Sequence, residues 1–117
     1  MKTILIFHSN QQSIAEIQSI LTGHCYVYAT SQPTTVQEFL EKNPVDSLVI
    51  YLPAEPNSSM KNESVKLLRK LNIKAYQDLL KIVFCSNKEE QQVKNFIGLG
   101  VTAIVASEMG LKLVLGI

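Results

Sequence analysis

Tryptophan is absent from this 117-residue chain, and aspartate, histidine and cysteine occur only twice each. The cysteines, Cys25 and Cys85, form no CxxC, and no HxxxH spacing exists, so the usual metal-ligand signatures are missing. No GxSxG turn is present and no acid stands ready to orient His8, which excludes a Ser/His/acid hydrolase. No run comes near the roughly 18 apolar residues of a membrane span. The opening MKTILIFHSNQQ is also too short in its apolar part for a secretory leader. A cytoplasmic location with reduced thiols is the expectation. The formal charge of +1 provides no long-range field for nucleic acid, so direct binding to DNA or RNA is not expected. Lys66, Arg69 and Lys70 are the one cluster of bases, and they read as the solvated face of a helix.

An apolar fraction of 46% with 18% charged residues suits one fully packed domain over residues 1–117. Short apolar runs built from strand-forming residues recur: TILIF (3–7), CYVYA (25–29), SLVIYL (47–52), KIVFCS (81–86) and VTAIVA (101–106). Their continuity, rather than alternation, is the mark of strands buried on both faces. Between them lie segments of helical period. SNQQSIAEIQSILTG places Ile14, Ile17 and Leu21 on one face and stops at Gly23. TTVQEFLEKN offers a capping box, Thr35 with Glu38, and ends before Pro44. ESVKLLRKLN turns Val65, Leu68 and Leu71 inward. KEEQQVKNFIGLG begins after Ser86, which pairs with Glu89 as a cap, and buries Val93, Phe96 and Ile97. Tyr26 and Tyr28 alternate on the second strand and are expected to pack under a helix.

Strands alternating with helices predict an α/β fold: a five-stranded parallel sheet of order 2-1-3-4-5, flavodoxin-like, with helices on both faces. SEMGLKLVLGI, with two glycines, supplies only a short or truncated last helix: either the sequence stops inside that helix or the protein continues beyond Ile117. In such a sheet function gathers at the carboxyl ends of the strands. There stand His8, Ser9 and Asn10, then Thr30, Tyr51, Ser86 and Ser107.

The order of elements, the stretches DSLVIYLP and GLGVTAIVAS, and the LLRKL helix resemble the receiver domain of two-component response regulators, over nearly the whole chain. The resemblance implies an acidic pair after the first strand, a phosphoaccepting aspartate ending the third, a hydroxyl after the fourth and a lysine after the fifth. Those positions fall on His8 and Ser9, Tyr51, Ser86 and Ser107. The aromatic switch position of the family falls on Ile104. Only Ser86 keeps the family's chemistry. Phosphoryl transfer to a carboxylate needs Mg²⁺ held by hard oxygen ligands and fixed positive charge on the transferred group. Asp46 and Asp78 precede the third and fourth strands, at the wrong end of the sheet, and Glu55 and Glu108 reach the pocket only from loops. The implied form is a degenerate pseudo-receiver without a phosphoacceptor, and not an enzyme.

Such a module acts through a protein partner or the other domains of its own protein. The expected contact surface is the KEEQQVKNFIGLG helix, the fifth strand with Ile104, and the apolar last element. Leu111, Leu113, Val114 and Leu115 suggest dimer or interdomain packing there, although core packing accounts equally well for some of them. The segment AEPNSSMKNES reads as a surface loop longer than the family's, either a lid over the vacated pocket or a tolerated insertion. The alternative function is a small-ligand domain holding a flavin, quinone or metabolite under that loop. Against a flavin, HSNQQS lacks the glycine that lets backbone approach a phosphate.

Overall fold

The computed structural model describes residues 1–8, 11–52, 58–85, 96 and 98–117. Five strands, β1 (Lys2–Phe7), β2 (Cys25–Thr30), β3 (Ser47–Leu52), β4 (Leu80–Cys85) and β5 (Ala103–Val105), form one sheet in the order β2-β1-β3-β4-β5. All four pairings are parallel. Among the described residues four helices accompany them: α1 (Gln11–Thr22), α2 (Pro33–Lys42), α3 (Ser58–Leu71) and α4 (Glu108–Leu115), with a 3-10 turn at Lys74–Tyr76. Among the described residues no helix is long and apolar enough to cross a membrane.

The continuous apolar runs serve both faces, because successive strand side chains point to opposite sides. Ile4, Ile6, Val49, Ile82 and Phe84 pack on one face with Ile14, Ile17 and Leu21 of α1 and Leu111 and Leu115 of α4. Leu5, Phe7, Leu48, Ile50, Leu52 and Val83 pack on the other face with Val36 of α2 and Leu67, Leu68 and Leu71 of α3. The three leucines of α3 alone contribute roughly 5–9 kcal/mol of gross burial. That is enough to hold the helix whatever its intrinsic propensity.

Several local expectations are corrected. Helix α3 begins at Ser58, so most of the polar stretch expected as loop is helical, while Pro53 to Asn57 lie outside the described residues. Its inner face is Ser64, Leu67, Leu68 and Leu71, with Val65 only partly buried. The capping box of α2 does not form. Pro33 takes the first helical turn with Gln32 as the N-cap residue, and no side chain caps the helix. Proline's fixed φ and missing N–H suit that first turn, which places Thr35 and Glu38 inside the helix. Tyr26 is exposed on the edge strand, and Tyr28, about half exposed, meets α2 through a tilted contact with Phe39, ring centroids 4.9 Å apart. The helix expected after Ser86 lies outside the described residues except for Phe96, which is buried.

Helix α4 closes on a local capping pattern. Gly116, at φ +75°, adopts the left-handed conformation that glycine tolerates best, and its N–H bonds Leu113 O while Ile117 N–H bonds Lys112 O. This paired pattern closes a helix end without side-chain help. Lys2 at the start of β1 adds its ammonium to the carbonyl of Leu115, at 2.7 Å. A cation there also meets the negative end of the helix dipole.

Candidate functional site

Register brings the expected positions to one end of the sheet. Phe7 pairs with Ile50, Tyr51 with Phe84, and Phe84 with Val105. His8, Tyr51 and the segment from Ala106 to Ser107 therefore share the carboxyl edge, while Ser9 and Ser86 lie outside the described residues.

None of the described positions supplies a carboxylate. His8 is 6% exposed, and its N–H donates to Thr30 O at 3.1 Å. Its side-chain Nδ1 is buried without a hydrogen bond. Burial holds the imidazole below its ordinary pKa, because losing water penalises the cation. A neutral imidazole is no substitute for the paired carboxylates that attract a hard divalent ion. Tyr51 stacks on Phe84, with centroids 5.2 Å apart and an interplanar angle of 22°, and packs against the α1/α4 side of the core. Ser107 is the N-cap of α4, and its Oγ accepts a 3.0 Å hydrogen bond from Gly110 N–H. The hydroxyl thus satisfies one of the orphan donors at a helix start. Glu108, in the first turn of α4, borders Ile17, Ile20 and Leu21 of α1.

The aspartates sit at the opposite, amino end. Asp46 Oδ2 accepts from Thr3 N–H at 2.8 Å, Asp46 N–H donates to Thr3 O, and Asp46 O accepts from Leu80 N–H. Asp46 is therefore a clamp joining the starts of β1, β3 and β4. Asp78 lines a shallow cleft beside it with Asn43, Pro44 and Tyr76. Among the described residues no group of three or more His, Cys, Asp or Glu side chains converges on a metal position.

The expected contact surface is also redrawn. Leu111 and Leu115 are interior, at 1% and 0% exposure, and Val114 packs partly against the same core. Helical period sends these two inward and leaves Leu113, 76% exposed, on the outer side with Met109. Ile104 is partly buried against the α2/α3 side of the core.

No family model matches the chain, and no curated protein matches it at a significant level. Solved structures do. A CheY-like protein (tadZ) from Pseudomonas aeruginosa PAO1 superposes with a TM-score of 0.79 at 14% identity, over 99% of this chain and 98% of its own. A sensor protein from Polaromonas sp. JS666 gives 0.78 at 19%, over 98% and 93%. The signal receiver domain of an HD domain-containing protein from Pseudomonas fluorescens Pf-5 gives 0.77 at 15%, over 98% and 91%. The chain has the receiver-domain fold. On that receiver scaffold the strand order and the helices on both faces agree with the expectation from sequence, and Tyr51 lies within β3, next to its last residue Leu52. What the receiver fold places at its carboxyl edge here is a neutral imidazole, a stacked tyrosine and a helix-capping serine.

Proposed function

We propose that this chain is a pseudo-receiver, a phosphorylation-independent regulatory module that works by protein–protein contact in bacterial two-component-type signalling or transcription regulation. The observation that carries the reading is Tyr51. On this reading Tyr51, its ring stacked on Phe84, holds the phosphoacceptor position, and a phenol side chain neither forms an acyl phosphate nor supplies the carboxylate that anchors Mg²⁺. Both aspartates of the chain are committed to the other end of the sheet. Partner contact is assigned to the outer side of α4, where Met109 and Leu113 are 74% and 76% exposed. Residues four apart on a helix make one continuous stripe. In this reading the protein holds one conformation and serves as a fixed docking piece for a partner or for other domains of its own protein.

Incubation with acetyl phosphate and Mg²⁺, followed by intact-mass measurement, tests the reading. The expected result is no gain of a phosphoryl group, either in the natural sequence or in Tyr51→Asp, since His8 still supplies no carboxylate for Mg²⁺ and Ser107 no cation. A stoichiometric gain in the natural sequence would overturn the proposal. A gain in the single variant would overturn the account of the missing metal site.

A further inference from the structure

The charged group that the fold treats most unusually is at the amino end. Lys81, the second residue of β4, is only 4% exposed. Its backbone is tied to the chain before β5: Lys81 N–H donates to Thr102 Oγ1 at 3.1 Å and Lys81 O accepts from Thr102 N–H at 2.7 Å. Alternation places its side chain on the same face as Val83 and Cys85, toward the α3 layer. Past the end of the apolar core the side chain enters a cleft of about 370 Å³ lined by Asn72, Ile73, Lys74, Gln77, Lys81 and Gly100. Among the described residues the Lys81 ammonium makes no hydrogen bond and no ion pair, and no carboxylate lines the cleft. Buried amines are ordinarily paired.

The cleft wall is built for close approach. Gly100 has φ +77°, and a Cβ there would stand 2.7 Å from Asn72 Oδ1 and 3.6 Å from Lys81 Nζ. Only glycine keeps this backbone conformation and this spacing without displacing the amide. Two ammonium groups, from Lys74 and Lys81, and two side-chain amides, from Asn72 and Gln77, thus share one opening. The carbonyl end of α3, just before Asn72, contributes the opposing charge, about half an elementary unit. Two full cations outweigh it. Asp78, although it follows Gln77, lines the neighbouring cleft with Asp46.

We propose that this cleft is a binding site for a small anion bearing a phosphate or carboxylate group, with Lys81 as the buried counter-charge and Lys74, Asn72 and Gln77 as its rim. The volume is at the small end of ligand sites, which suits a metabolite-sized anion. Burial holds the Lys81 amine below its ordinary pKa, and a bound anion would restore its preference for the charged form. The site lies at the opposite end of the sheet from Tyr51, so it stands or falls independently of the pseudo-receiver reading.

An amide NMR titration of the full chain with sodium phosphate and, separately, sodium succinate, at ionic strength fixed with sodium chloride, tests it. The expected result is a saturable shift at Gly100 and Asn72 in at least one arm. Saturation with phosphate alone assigns a phosphoryl ligand, and saturation with succinate alone a carboxylate. Lys81→Met should weaken binding about tenfold or more, and Lys74→Gln by a smaller factor. The Lys81 Nζ resonance of the unsubstituted protein gives a readout that needs no variant and should follow the same curve. Shifts that never saturate, a Lys81 signal that ignores both anions, or equal affinity in Lys81→Met would overturn the proposal.

Discussion

The two ends of the sheet differ in how they spend polar groups. At the carboxyl edge, where parallel sheets place their chemistry, the Nδ1 of His8 is buried without a hydrogen bond, Tyr51 is stacked, and Ser107 is used up in starting a helix. At the amino edge, Asp46 clamps three strands and Lys81, among the described residues, stands buried and unpaired beside an open cleft. A functional site usually stores strain or uncompensated polarity that a purely structural region has no reason to keep. By that criterion, among the described residues, the expected end behaves as packing apart from the unpartnered Nδ1 of His8, and the neglected end holds the larger electrostatic debt.

Substitutions can break this contrast. Tyr51→Ala should lower the unfolding free energy by about 2 kcal/mol in urea titrations, because a part-buried ring loses its stack on Phe84. A neutral or stabilising outcome would mean that the carboxyl edge is strained in the manner of an active site. Lys81→Met should act in the other direction, raising stability by about 1 kcal/mol, since it removes a covered and unpaired amine while keeping the apolar stem. The residue is almost wholly covered, but its ammonium borders the cleft, so the gain stays below that for full burial. A loss of stability would show that the amine has an unseen partner. Ser107→Ala should cost slightly under 1 kcal/mol through the lost cap. Ser107→Lys, which restores the charge of active receivers, should lose the same cap and gain no phosphorylation.

The mildest test is a pH slope. Burial lowers the folded-state pKa of His8 below its ordinary value of 6.5. The unfolded chain therefore takes up the proton first, and stability is full above about pH 6.5 and declines as the pH falls toward the folded-state pKa. Comparing His8→Met with the natural sequence at pH 8 and pH 5 isolates this term. The variant should show the smaller acid loss, and identical slopes would place His8 in contact with water.

The strands were legible because TILIF, SLVIYL and KIVFCS are too continuously apolar to be anything but doubly covered, and their order followed from the alternation with helices. The place of Tyr51 near the end of β3 was legible for a related reason, since SLVIYL reads as one continuous buried strand. The start of α3 was hidden because serine, asparagine and glutamate look alike in a loop and on an exposed helical turn. Pro33 overrode a capping box that was locally plausible. Leu111 and Leu115 were read together with Leu113 because a short helix offers too few turns to separate its faces. Lys81 was beyond reach from sequence. A lysine at the edge of an apolar run ordinarily marks the surface, and its burial depends on Asn72 and Gly100 arriving from distant parts of the chain.

The bond from Lys2 to the carbonyl of Leu115 has an architectural meaning. It pins the first strand to the last helix, so cargo fused at either side would emerge from the same small patch of surface. A circular permutant that bridges this patch with a short Gly/Ser linker, and opens at the exposed turn of Gly23 and His24, should still assemble the sheet. Seen this way the domain is a loop closed by one lysine, and two neighbours tethered to it would be held side by side rather than at opposite poles.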